Sequence, residues 1–261
     1  MAVKTSAIKP FKMTPNPCYG TGIYRRRVRL RHESKQQVLA EMEDDIHGFR
    51  IALFHDGHTI TAINPQPQRV PLDTCTGANA VLKTLVGTSL STSPRALLHD
   101  NNPRAHCTHQ FDLLGLAITH ALRNQPVRQY DIAIHDAHEG IYRTEGCIDG
   151  KPTFLWRIRN NVIETEGAWM GISTHKGFAN WAEQNLPVDQ LELALIVQRG
   201  LMVATTRHVL IDELEGSGLE DDPMPKGVCY SYSEPVLFDA LRLGNVVRDF
   251  TDTPEQLLRF V

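Results

Sequence analysis

The run His106-Cys107-Thr108-His109 places two imidazoles and a thiol at what its flanking pattern marks as the start of a helix. Imidazole titrates near neutrality and moves protons. A helix N-terminus favours an anion, which would lower the pKa of a thiol at Cys107. Thr108 has the right side chain to cap the free backbone donors. His109 and Asp112 stand three apart and would be neighbours on one helix face. The expected chemistry is an acid or base at His109 oriented by Asp112, with Cys107 as a nearby nucleophile. The plainer alternative is a buried thiol and a capping histidine.

Asp44-Asp45-Ile46-His47 is the second constellation. On a strand, Asp45 and His47 point to one face, giving a second carboxylate–imidazole pair; otherwise they form a charged strand end before Gly48. Two titratable pairs in different surroundings are what proton-transfer catalysis needs. Tyr24 or Arg27 could hold a developing oxyanion. His47, Cys75, Cys107 and His109 offer a zinc-type donor set, but only one of the spacings is short, so no metal is assigned. His55-Asp56-Gly57-His58 and His135-Asp136-Ala137-His138-Glu139 read as polar turns. Trp156, Trp169 and Trp181 read first as core, and Trp169 is carried as a contact for a flat apolar ligand.

These residues sit in a chain of 261 residues, 41% hydrophobic and 22% charged, with a net charge of −3. Such proportions fit a globular fold and no basic excess points to nucleic acid. No apolar run is long enough to span a membrane. Residues 1–19 mix lysines and prolines without an apolar stretch and read as an extended arm. Five cysteines, an odd number with no CxxC pair, suit a reducing cytoplasm better than a disulfide framework. No GxGxxG follows a strand, and GxxxxGK[ST], GxSxG and HExxH are missing, which leaves a cofactor-independent enzyme as the best surviving class.

Alternating residues predict strands at 23–31, 38–45, 49–55 and 59–63, with Asp56-Gly57 as a hairpin turn and Pro65, Pro67 and Pro71 ending the last strand. Helices are expected at 78–86 and from 107 or 108 to 122. After Pro126 the plan restarts, with strands at 130–135, 140–147, 154–159 and 162–166, then helices at 177–185 and 187–206. A strand at 228–232, a helix or edge element at 238–247 and a capped helix at 251–260 are expected to close the chain. The expected fold class is therefore α+β, in two related halves (20–125 and 126–261), each with antiparallel strands followed by a short and a long helix.

The segments Tyr24-Arg25-Arg26-Arg27, Ile46-His47-Gly48-Phe49-Arg50, Pro71 to Cys75, and Cys107-Thr108-His109 with Asp112-Leu113-Leu114 resemble a bacterial family, domain of unknown function 2889. The resemblance covers residues of about 20–123, and Gly48 departs from it where family members tend to be acidic. It implies a shared pocket around His47, Arg50, Cys75, Cys107 and His109, without a reaction, and adds Arg50 to Arg27 as a substrate contact. The resulting expectation is a cofactor-independent lyase or isomerase acting on a small hydrophobic or aromatic metabolite. A cysteine-dependent hydrolase and a ligand- or metal-binding module are the rivals. The expected partner is a small molecule rather than nucleic acid or membrane, with a homo-oligomer left open.

Overall fold

Strand β1 (Ile23–Ser34) alternates two faces, and the alternation decides its place. Tyr24, Arg26, Val28 and Leu30 are buried, while Arg25, Arg27, Arg29 and Arg31 are half-buried on the other side. A strand with one such apolar face belongs in a sheet covered on one side only. In the computed structural model, which describes residues 9–260, β1 is the centre of that sheet.

The other strands are β2 (Gln37–Asp44), β3 (Gly48–His55), β4 (Ile60–Arg69), β5 (Val127–His135), β6 (Ile141–Ile148), β7 (Lys151–Arg159) and β8 (Val162–Ile163). They form one eight-stranded sheet in the order β4-β3-β2-β1-β5-β6-β7-β8, and every pairing is antiparallel. Val28 opposes Met42 on one side and Tyr130 on the other. Helices α1 (Ala78–Lys83), α2 (Thr108–Ala121), α3 (Phe178–Asn185) and α4 (Val188–Ala204) complete the mixed α and β structure. The sequence of four strands, a short helix and a long helix thus occurs twice along the chain. α2 lies over β1, β2 and β3, and α4 over β5, β6 and β1, with one hydrophobic core running beneath both. None of the helices among the described residues is long and apolar enough to cross a membrane.

Several expectations are corrected. β4 runs through its prolines, with Pro65 opposite Ile51 and Pro67 opposite Phe49. It is an edge strand, so a missing N–H on its outer side breaks no ladder. Cys107, not Thr108, occupies the N-cap of α2, and no side chain caps that end. Residues 228–232 are not a strand; Tyr230–Tyr232 form a 3-10 turn. Helices at 238–247 and 251–260 do not form either, beyond short 3-10 turns at Val236–Phe238 and Pro254–Gln256. The backbone donors there are taken by the end of the sheet instead. Arg248 N–H donates to the Asp45 carbonyl at 2.7 Å and Leu258 N–H to Glu43 Oε2 at 2.6 Å. The described part of the N-terminal arm lies along residues 207–217, with Asn16 N–H donating to the His208 carbonyl at 2.8 Å. The rest of that arm, residues 1–8, falls outside the described residues.

Candidate active site

Asp44 ends β2 and stands opposite Arg26 on the buried face of β1. Its Oδ2 accepts from Arg26 Nε at 3.1 Å and Nη2 at 2.6 Å, and from the Tyr24 hydroxyl at 2.9 Å. Its Oδ1 accepts the backbone N–H groups of Ile46 at 2.9 Å and His47 at 2.7 Å. This is the turn that an aspartate makes with its own following backbone, and it is what leads β2 into β3. The same oxygen meets Nδ1 of His47 at 3.1 Å. Burial pushes the Asp44 carboxyl up, but His47 and Arg26 outweigh it and hold the group well below the usual carboxylate range. An ionised carboxylate only accepts, so Nδ1 of His47 carries a proton and donates it to Asp44.

His109, in the first turn of α2, lays its ring on that of His47, with centroids 4.0 Å apart and planes at 28°. Phe49 flanks both rings at 6.2 Å. Nε2 of His109 is buried without a hydrogen-bond partner. Burial, then the neighbouring His47 and Arg26, hold His109 well below the ordinary imidazole range, so it is neutral near pH 7. One atom each from Asp44, His47 and His109 lie within 4.8 Å of one another, so these three could hold a metal ion. Asp44, however, already accepts from six donors and lies against a guanidinium, which suits an orienting carboxylate better than a ligand.

A cavity of about 290 Å³ opens beside His109, between α2 and α4. Arg26, Val28 and Met42 floor it, Phe111, Leu113 and Leu116 wall it from α2, and Glu192, Leu195 and Ile196 wall it from α4. Pro94, Arg95 and Leu98 form its rim. A larger cleft of about 720 Å³ holds Asp45, Arg207, Asp212 and Asp249 but neither imidazole of the stacked pair.

The structure brings His47 and His109 together but redistributes their expected partners. Asp112 bonds Arg199 Nε at 2.7 Å rather than His109, and Asp45 bonds Arg207 Nη1 at 2.8 Å rather than His47. The two pairs expected from spacing are therefore one cluster with Asp44 as its carboxylate. Tyr24 is fully buried and donates to Asp44, so it supports the cluster from behind. Arg27 faces away on the outer side of the sheet, paired with Asp131 at 2.5 Å; Arg26 takes the inner position. Arg50 pairs with Glu41 at 2.8 Å and sits over the Phe260 ring at 4.4 Å, and neither it nor Arg27 borders the cavity. Trp169 is half-buried and packs against the core through Phe154, Trp156 and Trp181 at 4.7–5.6 Å, away from the cavity.

The expected activation of Cys107 is also corrected. Its thiol is buried, and burial pushes it well above the ordinary thiol range despite the helix end. Cys75 takes a weak bond from the Ser231 hydroxyl at 3.7 Å, in a satellite cluster with Leu72 and Tyr232. The four-residue zinc set does not converge; of its members only His47 and His109 join the metal-capable group among the described residues.

Asp44, Arg26 and Glu192 were not anticipated. Asp44 had a signal in the reach of an aspartate to the N–H groups two and three residues on. Arg26 had one in the phase of β1, since the Tyr24/Arg26/Val28/Leu30 face is the more apolar. Glu192 had only its isolation in an apolar helix.

Residues 26–123 match the model of a family described as Protein of unknown function (DUF2889). That segment holds Arg26, Asp44, His47, Cys107 and His109, and it agrees with the resemblance read from the sequence. No curated protein matches the chain.

Proposed function

We propose that the cavity between α2 and α4 is the active site of an enzyme that moves protons on a small, mostly apolar metabolite without an organic cofactor, as a lyase or isomerase. The observation that carries this reading is the stacked His47–His109 pair, backed by Asp44, at the edge of an apolar cavity. His109 is the group that meets the substrate. It is neutral, so it acts first as a base, and Asp44 stabilises the imidazolium that forms. His47, held by Asp44 through Nδ1, positions the ring of His109. Arg26 at the cavity floor is placed to stabilise oxygen charge that develops as the proton leaves.

Nothing comparable supports Cys107 as a nucleophile, because its thiol is held protonated. A metal ion on the trio would have to compete with the donors already on Asp44. We read the repeated order of strands and helices as two related halves that meet at β1 and β5, with the cavity at their seam. Free thiols throughout suit a reducing cytoplasm.

The test is a turnover assay on a substrate found by screening small aromatic and aliphatic metabolites. His109→Ala should lose on the order of 10²-fold or more in kcat, and His47→Ala a substantial part of that, with both variants folded. Full turnover in both overturns the reading.

A further inference from the structure

Glu192 is a charge where the sequence otherwise supplies hydrocarbon. It lies in the second turn of α4 between Leu191 and Leu193 and is 0% exposed. Burying a carboxylate is costly unless each oxygen finds donors. Only half of that condition is met within the protein. Oε2 accepts from Arg123 Nη2 at 2.6 Å and from the Tyr130 hydroxyl. Oε1 is buried and has no partner, and Glu192 borders the cavity.

We propose that the cavity takes a small neutral molecule bearing a hydroxyl group, and that this hydroxyl donates its hydrogen bond to Glu192 Oε1. The inference rests on the cavity being the ligand site, and it adds the ligand's chemistry. The charge of the ligand follows from the ion pairs around it. Arg26, Arg95 and Arg199 border the cavity, and each is already matched, to Asp44, Glu183 and Asp112 respectively. Arg123 likewise balances Glu192. No charge is left over for an anion or an ammonium group to answer. The remaining walls, including Val28, Met42, Phe111 and Leu116, select an apolar body, and about 290 Å³ suits a single ring with a short substituent. An acceptor that no protein group fills discriminates strongly against a ligand lacking the donor, since binding such a ligand leaves the oxygen buried and unpaired.

The experiment uses the full chain and two probes that share a ring and an ethyl group, 4-ethylphenol and 4-ethylanisole, the second differing by the methyl group that caps its hydroxyl. Calorimetric titration of the wild type should show the phenol binding at least about tenfold tighter than the ether. Glu192→Gln should bring the two within about threefold of each other, while His109→Ala keeps the preference. Leu195→Phe, which fills the cavity without touching the carboxylate, should abolish binding of both and so locate the probes. Equal binding by the wild type, binding of neither probe at millimolar concentration, or a preference intact in Glu192→Gln overturns the proposal. If Glu192→Gln does not fold, the wild-type ratio and Leu195→Phe decide it. The outcomes separate from those of the proposed reaction: a His109→Ala enzyme with full turnover would refute the reaction and leave the phenol preference standing.

Discussion

The ring of His47 lies against the ring of His109 at 4.0 Å, and Asp44 grips the first of them through Nδ1 at 3.1 Å. A strand end and a helix start are thereby joined through one buried carboxylate. The same carboxylate neutralises Arg26, whose guanidinium is almost completely buried in the middle of the sheet. Asp44 therefore has two tasks, to orient an imidazole and to keep a cation in the core.

The second task predicts a large stability effect. Asp44→Asn leaves Arg26 without its counter-charge and should cost about 3–5 kcal/mol, read from urea unfolding. Asp112→Asn removes a pair whose side chains are 32% and 44% exposed, and it should cost no more than about 1 kcal/mol. Equal effects of the two substitutions would contradict this account of the cluster.

The acid side of the stability curve should report His109. Its unfolded imidazole titrates near about 6.5, while in the fold burial, then His47 and Arg26, hold it well below that. Below about pH 6.5 the unfolded chain takes up a proton that the folded chain does not, so stability present above that pH is lost as acid is added. Asp45 works in the opposite direction. Burial, against the pull of Arg207, pushes it up to about 7, so its contribution improves as pH falls from there. The clean readout is thus a difference: His109→Gln should lose less stability than the wild type between pH 7 and pH 5. A steeper loss in the variant would refute the neutral, buried state assigned to His109.

Thiol reactivity offers an independent check. Cys18 is exposed, Cys75 is pushed up to about 11 by burial, and Cys107 is raised further. Iodoacetamide near pH 7.5 should label Cys18 first and Cys107 at least about tenfold more slowly, as followed by peptide mass spectrometry. Rapid stoichiometric labelling of Cys107 would revive a cysteine mechanism.

The sequence made the antiparallel strands and the two long helices legible because their periods of 2 and 3.6 are strong over β1 and α2. It also singled out His47 and His109. Their partners were harder to read, since spacing points to Asp45 and Asp112, while in space Asp44 holds His47 and the ring of His47 holds that of His109. The pairing of β1 with β2 puts Asp44 opposite Arg26, and Asp45, just past the strand end, is buried against Arg207, which no local rule anticipates. The C-terminal segment misled for a related reason. Residues 238–260 have helical composition in places, but donors such as Arg248 N–H and Leu258 N–H are satisfied by distant acceptors at the sheet end. Pro65 and Pro67 mark a strand end only where a strand needs both its edges, and β4 does not.

Gly115 tests how the cavity rim is held. It lies in the middle of α2, where alanine would ordinarily strengthen a helix by about 1 kcal/mol. A Cβ there would stand 2.3 Å from the Pro94 carbonyl oxygen, which is backbone and cannot swing aside as a flexible side chain would. Pro94, with Arg95 and Leu98, forms the rim of the cavity. Steric overlap of this kind outweighs the propensity gain, so Gly115→Ala should be destabilising by about 1–3 kcal/mol. The loop at 91–104 must also move away from α2, and its amides should exchange faster in hydrogen–deuterium exchange than those of β1. A Gly115→Ala protein as stable as the wild type, with unchanged protection of that loop, would mean that the rim is not packed on α2 in the way described.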